Sequence, residues 1–238
     1  MHNQFAAFID DLRSTHGKNL ASVVLYGSAA AGDYLPRRSD YNILVVLEKI
    51  GPEDLRKANA SIREWVRLGN PVPVYFTVSE LKNAADVFPI ELHQMSIASK
   101  VLFGTDLLAD IEISDKFLRL QTEYELRSRL IQLRRQYIPA STTVQGLKDL
   151  MANSLSTFAA LFRSVLVLRG SAPPATKREI IDLTARSVGI DISPFEKILD
   201  IRENNLTDDL DDRSANKLFG DYLEQIEKMI DVVDQMDK

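Results

Sequence analysis

Apolar positions along this chain follow two regimes, a strand-and-helix pattern first and a purely helical one after it. Phe5, Phe8, Ile9 and Leu12 recur at helical spacing, so residues 3 to 15 read as an amphipathic helix covering one side of a sheet. Val23 to Tyr26 is a short, partly β-branched run of the kind a buried strand shows, broken by Gly27-Ser28 before three helix-favouring alanines, Ala29 to Ala31. Asp40-Tyr41-Asn42 opens a second such run, Ile43 to Leu47. Gly51-Pro52-Glu53-Asp54 carries the early proline and acids of a helix start. That helix runs to Leu68, buries Leu55, Ile62, Trp65 and Val66, and is stopped by Gly69-Asn70-Pro71. Val72 to Thr77 is a third strand whose two prolines favour an edge or an irregular start. Ser79 caps a short turn or helix to Ala85, Pro89 begins another through Ile97, and Lys100 to Phe103 forms a fourth strand closed by Gly104.

From Ser114 onward only helical periods remain. Leu126, Leu130, Leu133 and Tyr137 make one stripe, and Phe158, Leu161, Phe162, Val165 and Leu168 lie on a helix apolar almost all round, as the centre of a bundle should be. Gly170 to Pro174 breaks the pattern, and helices follow at 175–188, 193–202 and 214–234. The acidic run Asp208 to Asp212 reads as a solvated loop or first-turn cluster. The last helix carries Phe219, Tyr222, Leu223, Ile226, Met229, Ile230 and Val233 on one face; packing against the Phe158–Phe162 helix is the first expectation, and a homodimer through that face the alternative. The expected class is α+β, with a small mixed-sheet domain over residues 1–110 and an all-α bundle over 111–238.

Composition narrows the function classes. The 238 residues carry a formal charge of −5, which argues against broad adhesion to nucleic acid or acidic membranes. No cysteine is present, which removes disulfides, thiolate metal sites and a cysteine nucleophile, and fits a cytoplasmic setting. The N-terminus lacks the basic leader of a signal peptide, and Leu155 to Leu168, interrupted by Arg163, falls short of the ~20 apolar residues a membrane span needs.

The candidate chemistry lies in VVLYGSAAAGDYLPRRSDYNILVVL, residues 23 to 47. A strand, Gly27-Ser28, a spacer, and then Asp40 and Asn42 at the head of the next strand resemble the signature of the nucleotidyltransferase superfamily, which includes DNA polymerase beta and the aminoglycoside adenylyltransferases. FPIELHQMSIASKVLFGTDLL, residues 88 to 108, is similar to a segment of orphan bacterial nucleotidyltransferase-like proteins in which a helical bundle follows. The resemblance implies a nucleoside triphosphate as substrate or ligand, Mg²⁺ held by Asp40 and Asn42, and Gly27-Ser28 cradling phosphates at a helix N-terminus. Period-two alternation puts residues 40 and 42 on one face. Arg37 and Arg38, in the spacer, are candidate phosphate contacts; the alternative is a solvated basic loop. Glu91 is a candidate base, because kanamycin nucleotidyltransferase uses a glutamate beyond its acid set, while His93, on the same helix, reads as a packing residue. Arg127, Arg129, Arg134 and Arg135 make one helix basic, most simply as a solvated face paired with acids.

The family pattern has Asp or Glu where this chain has Asn42, and a third acid on a later strand, whereas Val72 to Thr77 holds no carboxylate. Three readings follow: a nucleotide-binding protein whose transfer to a small-molecule or protein acceptor is attenuated or lost, an active nucleotidyltransferase, and a non-enzymatic scaffold. A toxin-type RNase reading fails, since His2, His16 and His93 all precede the helical part.

Overall fold

The structure, a computed structural model, describes residues 2–27, 29–30, 40–174, 176–203 and 210–236. The chain folds as two compact units, Met1–Ser114 and Asp115–Lys238.

In the first unit the element order is α1 (His2–His16), β1 (Leu20–Tyr26), β2 (Asn42–Leu47), α2 (Pro52–Arg67), β3 (Val74–Thr77), α3 (Val78–Asn83), α4 (Pro89–Ile97) and β4 (Ser99–Gly104). The four strands form one mixed sheet in the order β3-β2-β1-β4, with β1 antiparallel to β2 and β4 and β2 parallel to β3. β1 and β2 are central and covered on both faces, which is why they read as continuous apolar runs and not as alternating ones. Val23, Leu25, Ile43, Val45 and Leu47 pack with Phe8, Leu12 and Trp65 from α1 and α2. Val24, Leu44 and Val46 pack with Leu81, Leu92 and Met95 from α3 and α4, and with Leu108. β3 is the edge strand its prolines suggest, and it starts only after Pro73.

Two details differ from the sequence reading. On α2 the buried residues are Ala58, Ser61 and Trp65, while Leu55 and Val66 are exposed. At roughly 100° per residue, Leu55 and Val66 fall about 90° and about 110° around the helix from the centre of that stripe. The cap of α3 is Thr77 and not Ser79: its hydroxyl accepts from the Glu80 N–H at 3.0 Å and Glu80 returns a bond to the Thr77 N–H at 2.7 Å. Gly104, in the left-handed region at φ +78°, is required by the close approach of β4 to β1, since a Cβ there would stand 2.0 Å from the Ala21 carbonyl oxygen.

The second unit holds α5 (Asp115–Ala140), α6 (Val144–Leu168), α7 (Lys177–Val188), α8 (Ser193–Arg202) and α9 (Asp212–Gln235). α6 is its core and touches each of the other four. It begins eleven residues before Leu155, so by length and composition it is apolar enough to cross a membrane, where the sequence reading expected it to fall short. The stripe on α9 is buried inside the unit: Phe219 stacks on Tyr137 of α5 at 4.3 Å, and Tyr222 meets Phe158 edge-on at 6.1 Å and Phe195 at 5.4 Å. Its packing against α5 is more extensive than against α6, and no face of that stripe is left for a second copy. Of the acidic run, Asp208 and Asp209 lie outside the described residues, while Asp211 caps α9 by accepting from the Ser214 N–H at 2.7 Å.

His16 closes α1 against the edge of the sheet. It is buried, both its ring nitrogens lack a partner among the described residues, and its neighbour Tyr75 has an equally unpartnered hydroxyl that burial pushes up to about 12. Burial also lowers the His16 imidazole below its usual 6.5, with Asp54 opposing the shift and Lys57 adding to it. The unfolded chain therefore takes up a proton near 6.5 while the folded protein resists it. This contribution to stability is fully present above 6.5 and is lost as pH falls through 6.5 toward the lowered folded value. Urea midpoints at about pH 7.5 and about pH 5.5 should show the loss, and His16→Phe should shrink it; an unchanged difference in the variant would remove His16 as its source.

Candidate functional site

Tyr41 sets the geometry at the head of β2. Its ring is buried on the α1–α2 side, edge-on to Phe5 at 4.9 Å and tilted to Trp65 at 6.4 Å. Trp65 is itself held by stacking on Phe8 at 4.4 Å and by donating from Nε1 to the Pro71 carbonyl at 3.1 Å. With Tyr41 turned inward, alternation turns Asn42 to the opposite face, the one carrying Val24, Leu44 and Val46.

Asn42, half-buried, pairs with Tyr26 in the antiparallel ladder, at the end of β1. Gly27 follows in the left-handed region at φ +81°. Its N–H donates to the Ala98 carbonyl at 2.9 Å and its own carbonyl accepts from Ala30 at 2.9 Å, so this one residue ties the end of β1 both to the start of β4 and to the turn that leaves the sheet. A Cβ on Gly27 would stand 3.4 Å from Nδ2 of Asn42. The structure thus brings Gly27 and Asn42 together. Asp40 stands two residues before the strand and is exposed. Ser28, Arg37 and Arg38 lie outside the described residues.

Glu91 is in the first turn of α4 and exposed. It is the other end of that helix that meets Gly27, through Ala98, and seven residues of helix separate the two by about 10 Å. Beside β2, β3 offers Val74, Tyr75, Phe76 and Thr77, with Val74 in register with Leu44 and Phe76 with Val46. No carboxylate comes from that strand. Among the described residues no group of three or more His, Asp or Glu side chains is placed to hold a metal ion. Of the four arginines of the basic helix, three are paired: Arg127 with Glu123 at 2.8 Å, Arg129 with Glu125 at 3.2 Å and Arg134 with Glu227 at 2.6 Å.

A nucleotidyltransferase domain model matches residues 6–103, the span from α1 to β4. Residues 6–103 of the 238 thus carry a domain similar to the nucleotidyltransferase domain. The whole chain is also similar to a spectinomycin adenyltransferase of Enterococcus faecialis solved with ATP and spectinomycin. The likeness has a TM-score of 0.56 at 16% identity and covers 94% of this chain and 99% of that one, so the fold is shared along both units. No functionally curated protein matches the sequence.

Sequence reasoning did not single out Tyr41 or Ala98. Tyr41 had a signal, since it continues the odd-numbered apolar series Ile43, Val45, Leu47. Ala98 acts through a backbone carbonyl, which leaves no side-chain trace. Gly27→Ala tests the knot directly: the left-handed φ alone should cost about 1–2 kcal/mol, read as a lowered urea midpoint. A variant as stable as the parent would show that the Gly27 conformation is not needed.

Proposed function

We propose that the protein binds a nucleoside triphosphate at the Gly27–Asn42 end of the sheet, with transfer to a small-molecule or protein acceptor attenuated or lost. The observation that carries this reading is the position of Asn42: a neutral amide at the head of β2, packed on Gly27, beside a strand that holds no carboxylate. In this reading the phosphates lie at the Gly27 turn, with Ser28, Arg37 and Arg38 as the candidate contacts. The structural neighbour, solved with ATP and a small molecule, supports a nucleotide and a small-molecule acceptor as the ligand classes.

The donor set fits one Mg²⁺ better than two. Mg²⁺ is commonly held by one or two carboxylates plus substrate phosphates, and Asp40 with the amide oxygen of Asn42 would supply one charged and one neutral hard donor. When bound, the ion would neutralise phosphate charge and orient the α-phosphate. A pair of ions would need more negative charge than Asp40 provides. The acceptor hydroxyl lacks a general base on β3, a loss of ~10²–10⁴-fold where such a base normally acts. The second reading is an active adenylyltransferase-like enzyme with Asp40 and Asn42 holding the metal, favoured by the extent of the likeness to the adenyltransferase; Glu91 is then the first residue to test as base.

Calorimetric titration with ATP, with and without Mg²⁺, should show binding, and Asp40→Ala should weaken the Mg²⁺-dependent part. Asn42→Asp should tighten Mg²⁺ binding in the presence of nucleotide, because it restores an anionic oxygen at the same position. Assays with labelled ATP should show weak transfer or none. Brisk transfer by the parent protein, abolished in Asp40→Ala, establishes the active reading; absence of any nucleotide binding leaves the scaffold reading.

A further inference from the structure

α5 carries two apolar stripes, and the bundle uses only one of them. Leu118, Leu126, Leu130 and Leu133 face inward and are buried. Phe117, Tyr124, Ile131 and Ile138 recur at intervals of seven, with Leu120 beside them, and all five are exposed, Tyr124 to 67%, Ile131 to 57% and Ile138 to 72%. At roughly 100° per residue this second stripe is centred about 160° from the inner one, and it runs about 31 Å along the helix axis. Scattered exposed apolar residues are ordinary on a soluble protein, but a stripe recurring every seven residues, one of the two seam positions of a left-handed coiled coil, is a face on which another helix can pack.

We propose that this outer face of α5 is an interface with a second copy of the chain, the two α5 helices pairing antiparallel about a two-fold axis near Arg127 and Ser128. The stripe is self-complementary in that arrangement: around the midpoint, Phe117 stands opposite Ile138 of the second copy and Tyr124 opposite its Ile131. That reciprocity is what a two-fold interface requires. The five side chains expose on the order of 500 Å² per copy, so pairing buries about 1,000 Å², the lower bound for a specific interface. Three arginines of this helix, Arg127, Arg129 and Arg134, are already paired with Glu123, Glu125 and Glu227, which leaves less free positive charge for an anionic surface as the occupant. The interface is separate from the α9 stripe, which its own bundle covers.

Sedimentation and light scattering of the full chain over a concentration series should give a dimer, and Ile131→Glu or Tyr124→Glu should return a monomer with an unchanged circular dichroism spectrum, both positions being exposed. The absence of cysteine allows a test of register. Ser128→Cys alone should be joined to its counterpart by a short thiol cross-linker, whereas Phe117→Cys alone should not. A monomer throughout the series, a dimer indifferent to both glutamates, or a monomer whose outer stripe binds anionic vesicles would each overturn the proposal. A dimer that cross-links through residue 117 and not through residue 128 would overturn the antiparallel arrangement.

Discussion

The inward turn of Tyr41 is the constraint on which the candidate site depends. A strand alternates faces at every residue, so fixing one side chain fixes the rest. Tyr41 is fixed by aromatic neighbours on two helices, Phe5 of α1 and Trp65 of α2. Trp65 is held in turn by Phe8 and the Pro71 carbonyl. A slip of β2 by one residue would expose Tyr41, Ile43, Val45 and Leu47 to the other face and carry Asn42 into the aromatic cluster. The orientation of a polar residue at the sheet's end is thus decided by hydrophobic packing on its opposite side. Among the described residues, the polar end adds the approach of Asn42 to Gly27 and the Gly27–Ala98 hydrogen bond.

The second unit follows a different logic. Its centre is one helix apolar on nearly all sides, and four others are arranged around it, with edge-to-face aromatic contacts among Phe158, Phe162, Phe195 and Tyr222 filling the interior. Tyr222 is completely buried, and its hydroxyl is satisfied by Ser154 at 3.2 Å, while burial drives its ionisation far above the usual phenol value. The central helix is long and apolar enough to cross a membrane. Half of its most apolar stretch is buried inside the unit, which is the ordinary account of a core helix.

Strand and helix identities were legible because both faces of β1 and β2 are covered, giving uninterrupted apolar runs bounded by Gly27 and Gly51. The edge position of β3 was legible from Pro71 and Pro73. What periodicity could not supply was the rotation of α2: Leu55 and Val66 are as apolar as Ile62, and only the surface that α2 packs against leaves the first two exposed. The cap of α3 was misplaced because Thr77 and Ser79 are equal as capping residues, and it is the reach of Glu80 back to Thr77 that selects one. For the site, Gly27 and Asn42 were legible as a pair through the resemblance of their motif to the nucleotidyltransferase signature. The place of Glu91 at the far end of α4 was not, because helix direction relative to Gly27 depends on how β4 returns to β1.

The chemical identity of residue 42 also bears on stability without a ligand. An aspartate there would set a half-buried carboxylate two residues from Asp40 on the same face by alternation, and like charges so placed each disfavour ionisation of the other. A cation would relieve that repulsion, so a two-acid strand head gains stability from the metal it binds. Asn42 removes the repulsion at its source. Among the described residues the end of the sheet is held by the Tyr41 cluster and the Gly27–Ala98 hydrogen bond. In the proposed reading, the same neutral amide would leave less negative charge to attract Mg²⁺. If Mg²⁺ binds as proposed, stability of the unliganded fold and strength of the metal site would be set against each other at this one position.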